Sequence, residues 1–329
     1  MMKLEPNVWF DEVVKTYHLI SPHIHHTQLV TCPDLNEELD GMYLFKPESL
    51  QITGSFKVRG ALSAISRLSK KELKRGVIAY SSGNHAQGVA HAAKVFNTPA
   101  TVVMPKDAPE RKIANAQALG AEVIFYDRRT ESREKMSIEI AKERDLVIIN
   151  PYDALATIYG QGTAAYEVIN DANNPKLDNA IICAGGGGLT AGSCISIKHI
   201  NPECSVFTAE PEEWNDHQLS FEKNERVAMD TNRGGLCDGL LTPMPGEIPF
   251  AINTHFGVKG LAASDQAVCE AMRFAFNRLN LKLEPSGAVA LACLLQNKEK
   301  FKGSRTLVML SGGNVDQKTF SECLAKANR

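Results

Sequence analysis

The segment Asn179-Ala-Ile-Ile-Cys-Ala184-Gly-Gly-Gly-Gly188-Leu-Thr-Ala-Gly192 decides the fold class. Its first half has the apolar composition of a buried strand, and its second half has the pattern of an apolar helix that begins directly after four glycines. Glycines let the backbone turn tightly and expose several N–H groups. The start of the helix adds its own partial positive charge at the same place. The segment therefore predicts a strand–turn–helix unit whose turn binds an anion such as a phosphate group.

The same segment leaves a second interpretation open. Gly186, Gly188 and Ala191 fit the dinucleotide-binding pattern G-x-G-x-x-A, and Glu210 ends the next apolar run, where a ribose-binding acid would stand. On this segment alone, a nicotinamide-dependent oxidoreductase is a fair interpretation. A single fingerprint of this kind is weak, so other segments must decide.

Outward from the glycines, short apolar runs alternate with longer amphipathic stretches. The runs are rich in Val and Ile without clean alternation, which is typical of strands buried on both faces. We predict an α/β protein with mostly parallel sheets flanked by helices. The predicted strands are residues 42–45, 77–80, 100–104, 122–126, 146–150, 179–184, 205–209 and 306–310, and the predicted helices are 56–68, 86–96, 111–119, 132–144, 162–171, 189–200, 265–279 and 288–296. The turn-rich segment 233–249, with four glycines and three prolines, is predicted to be a surface loop.

Composition narrows the function classes. The chain has 329 residues, enough for one large and one smaller domain, and a net charge of -2 without a basic block. Nucleic acid and membrane surfaces are therefore not expected partners, and no apolar run reaches the roughly 18 residues of a membrane span. The N-terminus lacks the apolar core of a signal peptide, and the eight cysteines form no C-x-x-C pair. We expect a cytoplasmic protein with buried, reduced thiols.

Three further segments carry chemistry. Thr53-Gly-Ser-Phe-Lys57-Val-Arg-Gly60 places a lysine at the start of an amphipathic helix, where the helix end and burial would lower the pKa of its amine, as a Schiff-base lysine requires. Ser81-Ser-Gly-Asn-His85 joins a strand to a helix; it would either cap that helix or present hydroxyl, amide and N–H groups to a carboxylate. Ser311-Gly-Gly-Asn314 directly follows the last apolar run.

Together the four segments resemble the serine/threonine dehydratase and serine racemase family, which are pyridoxal-phosphate enzymes of the tryptophan-synthase-β fold (fold type II). The resemblance extends from about Thr27 to about Asp316, and the motifs recur in matching order and spacing. It implies a large cofactor-binding domain of residues 1–75 and 154–329, a small mobile domain of residues 76–153, and a homodimer.

The resemblance also implies residue roles. Lys57 would bind the cofactor covalently and act as the base at Cα, Asn84 would hydrogen-bond the 3′-oxygen of the ring, and Ser311 would face the pyridine nitrogen. The remaining implied cofactor contacts are Phe56, Gly185, Gly186, Gly187, Gly188 and Leu189. The implied substrate contacts are Ser81, Ser82, Asn84, His85, Arg133 and Gly239.

The activity implied by the resemblance is eliminative deamination of a small β-hydroxy amino acid to a 2-oxo acid and ammonia. The candidate substrates are L-serine, L-threonine and L-threo-3-hydroxyaspartate. Ser82 stands where serine racemases have a second acid/base, so a serine racemase with a dehydratase side activity remains the alternative. Arg133 would favour hydroxyaspartate by binding its second carboxylate, or it is a helix-surface arginine paired with Glu131 or Glu134.

The acidic segment Glu210-Pro-Glu-Glu-Trp214-Asn-Asp216 matches the place where serine racemases and related dehydratases hold a divalent cation. On this resemblance, Glu210, the carbonyl of Trp214 and Asp216 would be the ligands. Such oxygen ligands suit Mg²⁺, Mn²⁺ or Ca²⁺. The alternative is an ordinary acidic loop.

Overall fold

The computed structural model describes residues 6–81, 83–108, 110–127, 129–171, 176–230 and 234–327. It confirms the predicted fold class, because parallel sheets lie between layers of helices. The strands are β1 (Val30–Thr31), β2 (Met42–Pro47), β3 (Val77–Tyr80), β4 (Ala100–Pro105), β5 (Glu122–Tyr126), β6 (Val147–Ile148), β7 (Asn179–Cys183), β8 (Ser205–Pro211), β9 (Lys259–Ala263) and β10 (Arg305–Leu310).

The helices follow the same chain order. They are α1 (Pro6–Ile20), α2 (Pro33–Glu38), α3 (Lys57–Ser66), α4 (Lys70–Arg75), α5 (Asn84–Val95), α6 (Glu110–Ala118), α7 (Arg133–Arg144), α8 (Leu155–Ile169), α9 (Gly188–Ile200), α10 (Asp216–Lys223), α11 (Glu247–His255), α12 (Asp265–Leu279), α13 (Pro285–Gln296), α14 (Lys298–Phe301) and α15 (Gln317–Lys326). Short 3-10 turns, one of them at Asp238–Leu240, interrupt the loops.

Two sheets organise the molecule. The larger has the order β1-β2-β10-β7-β8-β9, with all pairs parallel except β1 with β2, and the smaller has the parallel order β5-β4-β3-β6. In a parallel sheet the carboxyl ends of the strands share one edge, which is where ligands bind in open α/β folds. The loops after β7 and β10 therefore meet at the carboxyl edge of the larger sheet. The loop after β3 lies at the carboxyl edge of the smaller sheet.

Helix α3 connects the two halves. The larger sheet lies in the main apolar core, while β3 and β4 lie in a second core that includes Val58, Ala61 and Leu62 of α3. α3 also packs against α8 on the side of the larger sheet. The helix that begins at Lys57 is thus fixed between both cores, although its sequence range falls within the predicted large domain.

Several boundaries differ from the sequence prediction for physical reasons. The helix predicted from residue 162 begins at Leu155 in the structure. It continues through Gly160 and Gly162, which the prediction had placed at or before its start. A Cβ on Gly162 would lie 2.6 Å from the carbonyl oxygen of Gly192 in α9, so these glycines permit close helix packing rather than mark an end. The strand predicted at 146–150 is reduced to Val147–Ile148, and the loop predicted over 233–249 already enters α11 at Glu247.

Two further observations concern the cysteines and the membrane. All eight cysteines are buried and unpaired, as predicted. Within the described ranges, every helix is too short or too polar to cross a bilayer.

Candidate active site

A cavity between the two sheets brings most of the predicted site residues together. Those that line it are Phe56, Lys57, Ser81, Asn84, His85, Arg133, Gly185, Gly186, Gly187, Gly188, Leu189, Gly239 and Ser311. Ser82 lies outside the described residues. Glu210, Trp214 and Asp216 are not part of the lining and form a separate site.

Lys57 is one of the basic residues that line the cavity. It is the first residue of α3, and its Nζ donates a hydrogen bond to the carbonyl oxygen of Pro151 at 3.1 Å. The amine also lies 5.1 Å from the centre of the Phe56 ring. Removal from bulk water lowers the pKa of the Lys57 amine from 10.5 to about 8, with the Cys183 side chain acting weakly in the other direction. An appreciable fraction of this amine is therefore neutral near physiological pH, as a nucleophile or base requires.

The glycine turn forms a narrow part of the cavity wall. Gly187 has φ +85° at the start of α9, and a Cβ there would lie 2.4 Å from Cε1 of His217. A Cβ on Gly186 would lie 2.2 Å from the Tyr152 ring. Among the described residues, none accepts a hydrogen bond from the N–H groups of Gly185, Gly186 or Gly187. Free N–H groups at the positive end of a helix fit the phosphate of a pyridoxal-phosphate cofactor.

Ser311 and Cys183 supply uncharged polar groups to the cavity. Ser311 follows β10, and its carbonyl oxygen accepts the N–H of Phe56 at 3.2 Å. Burial raises the pKa of the neighbouring Cys183 thiol to about 11, while the Ser311 hydroxyl acts in the other direction. Cys183 therefore remains a neutral thiol, and it presents a thiol to the cavity beside the hydroxyl of Ser311.

Asn84, the first residue of α5, is held by the side chains of Glu284, directly before α13, and Asn314, in the turn after β10. Its amide nitrogen donates to Glu284 Oε1 at 2.5 Å, and its amide oxygen accepts from Asn314 at 2.8 Å. Burial, with a contribution from Asp238, raises the pKa of Glu284 to about 7. The Asn84 side chain thus has a fixed orientation across the gap between the two sheets.

His85 lies beside Asn84 as a neutral ring. Its Nε2 is 2.9 Å from the carbonyl oxygen of Ile149, and because a carbonyl only accepts, Nε2 carries the proton. Burial, and then the nearby charge of Lys57, lower the pKa of His85 to about 3. Any contact of this residue with a substrate carboxylate would therefore use its backbone N–H, because the one ring proton is already donated to Ile149.

Arg133 forms the ion pair with Glu134 that the sequence offered as one of two alternatives. It begins α7, its Nε donates to Glu134 Oε1 at 2.8 Å, and its guanidinium carbon lies 6.0 Å from the centre of the Tyr80 ring. It nevertheless lines the same cavity as Lys57. A third basic residue of the lining, Lys112 of α6, forms an ion pair with Asp238 at 2.8 Å.

Several lining residues were not predicted from the sequence. They are Tyr80, Gly83, Lys112, Pro151, Tyr152, Cys183, Asp238, Leu240, Leu241, Thr242, Glu284 and Ser286. Only some carried a usable signal: Tyr80 ends a predicted strand, and Pro151 directly follows another. Most of the remainder come from distant loops and helices whose proximity depends on how the two sheets pack.

The acidic segment after β8 holds two buried carboxyl groups. Glu210 accepts the N–H groups of His217 and Gln218 at 2.8 and 2.9 Å, whereas neither carboxyl oxygen of Asp216 has a hydrogen-bond partner among the described residues. Burial raises the pKa of Asp216 to about 8, and burial together with Asp216 raises the pKa of Glu210. Within the described residues, no group of three or more His, Cys, Asp or Glu side chains is placed to bind a metal.

Comparison with known proteins identifies the class. The family described as "Pyridoxal-phosphate dependent enzyme" matches residues 20–312, and the chain belongs to this family. It is a pyridoxal-phosphate-dependent enzyme, which confirms the cofactor predicted from the sequence and removes the nicotinamide interpretation of the glycine turn.

Individual relatives carry two kinds of activity in their names. The chain is 38% identical to a serine racemase from Schizosaccharomyces pombe, over 96% of this chain and 97% of the relative. It is also 38% identical to an L-threo-3-hydroxyaspartate ammonia-lyase from Saccharomyces cerevisiae, over 96% of each chain. The crystal structure of serine racemase from Dictyostelium discoideum superimposes with a TM-score of 0.85 at 35% identity, covering 93% of this chain and 98% of that chain. Sequence identity alone does not separate the two activities.

Proposed function

We propose that this enzyme is an ammonia-lyase that converts a small β-hydroxy amino acid to a 2-oxo acid and ammonia, with L-threo-3-hydroxyaspartate as the preferred substrate. The observation that carries the proposal is the position of Arg133, whose guanidinium lines the cavity that contains Lys57. The water lost in the elimination is regained when the nitrogen leaves, so the net products of hydroxyaspartate are oxaloacetate and ammonia.

The residues of the chain divide the work. The bound cofactor supplies an electron sink for the bond that breaks at Cα. The lowered pKa of Lys57 lets its amine accept the Cα proton at neutral pH. The glycine-turn N–H groups would hold the phosphate, the Asn84 amide would orient the ring, and Ser81 with the backbone N–H of His85 would surround the carboxylate on Cα.

Arg133 would select the side chain of the substrate. Its Nε is bound to Glu134, and the two terminal nitrogens of a guanidinium can bind a carboxylate in a bidentate arrangement. Hydroxyaspartate carries such a carboxylate, whereas serine has a hydrogen and threonine a methyl group at that place. The aromatic face of Tyr80 lies under the guanidinium and supports its position.

The test is a comparison of three substrates. The purified holoenzyme is supplied with L-serine, L-threonine and L-threo-3-hydroxyaspartate, and 2-oxo acid formation is followed. We expect release from all three, with the highest kcat/KM for hydroxyaspartate. Absence of 2-oxo acid from every substrate would contradict the lyase, and a preference for serine would contradict the role of Arg133.

Serine racemisation is the second candidate, favoured by the equal identity to a serine racemase. Ser82 would supply the acid/base on the second face of the substrate. In Ser82→Ala, D-serine formation should stop while 2-oxo acid formation continues. If wild type forms D-serine faster than pyruvate from L-serine, the racemase becomes the main activity.

We further propose that Glu210, the carbonyl of Trp214 and Asp216 bind a divalent cation. Two adjacent buried carboxyl groups, one without a hydrogen-bond partner, offer hard oxygen ligands, and the described residues place no lysine or arginine against them. Mg²⁺ should then raise the unfolding temperature of wild type, and EDTA should reverse the gain. Asp216→Asn should lose this response. The control is Glu213→Gln, a substitution at a neighbouring exposed residue, and it should retain the response. A response retained in Asp216→Asn would place the ion elsewhere.

Three further proposals concern domain motion, oligomeric state and cellular location. Residues 76–153 act as a mobile domain that closes over the substrate, the enzyme is a homodimer, and it works in the cytoplasm on free amino acids. Light scattering tests the dimer, and small-angle scattering with and without a substrate analogue tests the closure.

A further inference from the structure

Four charged side chains form a buried cluster behind the cofactor lysine. Lys46, Glu48, Arg59 and Glu167 each have side chains no more than 1% exposed. Two cations face two anions, so the charges of the cluster balance. We call these four residues the buried quartet.

Arg59 is the centre of the buried quartet. Its Nε and Nη2 donate to the two oxygens of Glu48 at 2.8 Å each, and Nη1 and Nη2 donate to the two oxygens of Glu167 at 2.7 and 2.9 Å. Nη1 also donates to the hydroxyl of Thr163 at 3.3 Å. Two bidentate carboxylates therefore fix the guanidinium in both position and rotation.

Arg59 stands two residues after Lys57 on the first turn of α3. Residues two apart lie on nearly opposite sides of a helix, so Lys57 faces the cavity while Arg59 faces the protein interior. An anchor on the interior side sets the rotation of this first turn, and the rotation determines where Nζ of Lys57 lies.

The partner Glu48 closes the loop that leads to Lys57. It stands directly after β2, so the Arg59–Glu48 pair joins the two ends of the segment 48–59. On its outer side this segment is bound to the turn after β10: Phe56 N–H donates to Ser311 at 3.2 Å, and Gly313 N–H donates to Gly54 at 2.9 Å. The loop is thus held at its base by one ion pair and at its tip by the turn that carries Ser311.

Glu167 has a different geometric role within the same cluster. It lies on α8 and is shared between Arg59 and Lys46, so it connects the cluster to a neighbouring helix without closing the lysine loop. It is buried like Glu48 and carries the same charge. The two glutamates therefore form a matched pair for experiment.

From this geometry we propose that Arg59 and Glu48 are positioning residues for Lys57: their bidentate ion pair holds the lysine-bearing first turn of α3 in the orientation that the cofactor requires. The contribution is orientation rather than stability alone, because a buried ion pair adds little stability relative to well-packed apolar side chains. Removal of Glu48 should then impair the cofactor site more than an equal loss of charge at Glu167.

The experiment compares Glu48→Gln with Glu167→Gln. Both variants leave one uncompensated positive charge in the same cluster, so a general loss of stability should be similar, and the unfolding temperature records it. Each cofactor-free protein is titrated with pyridoxal phosphate while the circular dichroism induced in the bound cofactor is measured. The kcat of ammonia release is measured on the same samples. The kcat readout rests on the proposed function, whereas the induced signal does not, so failure of one is distinguishable from failure of the other.

We expect Glu48→Gln to lower kcat by about tenfold or more, since displacement of a reacting group by an ångström can cost about a hundredfold. It should also reduce the induced signal per bound cofactor by at least half. Glu167→Gln should change both by less than about twofold at a similar unfolding temperature. Equal effects of the two variants, no effect of either, or a larger effect of Glu167→Gln would overturn the proposal. If either variant does not fold, Glu48→Asp and Glu167→Asp repeat the comparison with the charge retained and the reach shortened.

Discussion

At the Lys57 end of the cavity, the functional groups are held by buried partners, whereas at the Arg133 end they are held by ion pairs that reach solvent. The Arg59–Glu48 pair behind Lys57 is fully buried. The Arg133–Glu134 pair has side chains 33% and 48% exposed, and Lys112 pairs with Asp238, which is 52% exposed. Exposed pairs of this kind contribute about 0–1 kcal/mol each, so they can rearrange at little cost.

This difference suggests that the Lys57 end of the cavity serves the reaction itself and the Arg133 end serves the choice of substrate. The buried end would fix the cofactor in the same way for every substrate, while the exposed end can change its selectivity through a few side chains. Changes at the Lys57 end should therefore affect all substrates alike, and changes at the Arg133 end should affect them differently.

The largest effect should follow Lys57→Met. Activity toward all three candidate substrates should fall to background, because no other described side chain of the cavity combines an amine with a lowered pKa. The cofactor-free variant should also be more stable than cofactor-free wild type below pH 8, because the wild type must keep a protonated amine out of water there. The pKa difference between 10.5 and about 8 limits the gain to about 3 kcal/mol.

The pH dependence of that gain has a definite sign. The folded pKa is depressed, so between pH 8 and 10.5 the unfolded wild type binds more protons than the folded protein, and wild-type stability rises with pH through this window. The advantage of Lys57→Met in chemical denaturation should therefore shrink from pH 8 to pH 10.5. An advantage that is constant over this range would show that Lys57 does not titrate as described.

Gly187→Ala should have a smaller effect on activity, and this effect should be the same for all three substrates. Its φ of +85° and the His217 ring beside it leave no room for a Cβ, so the glycine turn must shift and the cofactor dissociation constant should rise by about tenfold or more. Gly257→Ala is the control, since Gly257 has φ +65° but nothing within 4 Å of an added Cβ. Fluorescence titration of the cofactor-free proteins measures both, and equal weakening would assign the effect to backbone strain alone.

The smallest effect should follow Asp238→Asn at the mouth of the cavity. Removal of the carboxylate frees the Lys112 amine and should lower the KM for hydroxyaspartate about two- to fivefold, with little change for serine. The gain should weaken with added salt. Asp34→Asn, which breaks the exposed pair with Arg278, serves as the control and should leave both KM values unchanged; a KM gain that is the same for serine would contradict the charge argument.

The same division explains what the sequence could predict. The glycine turn and Ser311 directly follow β7 and β10, and a parallel sheet brings such strand ends to one edge, so their convergence was predictable. Lys57 and Asn84 begin helices, and only the family resemblance predicted that they join the same site. Tyr152, Lys112, Asp238 and Glu284 come from distant segments whose meeting depends on the packing of two sheets. The partners of Arg59 were equally hidden, because charged residues are rarely buried and nothing in the local pattern marks Glu48 or Glu167 as interior.

Secondary structure shows a comparable limit. Helix α1 and strand β9 were not predicted, although α12 has the predicted bounds of 265–279. The glycines inside α8 weaken its helical pattern in the sequence, yet they are what lets the helix approach α9. Local propensity was overridden there by tertiary packing.

The measurement that tests the central claim most directly is the ratio of kcat/KM for L-threo-3-hydroxyaspartate to that for L-serine, in wild type and in Arg133→Met. The matched control is Arg144→Met, because Arg144 lies on the same helix and is paired to Glu122 at 2.8 Å. We predict that Arg133→Met lowers the ratio by about 10- to 100-fold through the hydroxyaspartate value alone, as expected for the loss of a charged hydrogen-bonded pair. Arg144→Met should leave the ratio unchanged. A ratio that stays the same in Arg133→Met, or that falls equally in both variants, would contradict the assignment of Arg133 to the second carboxylate.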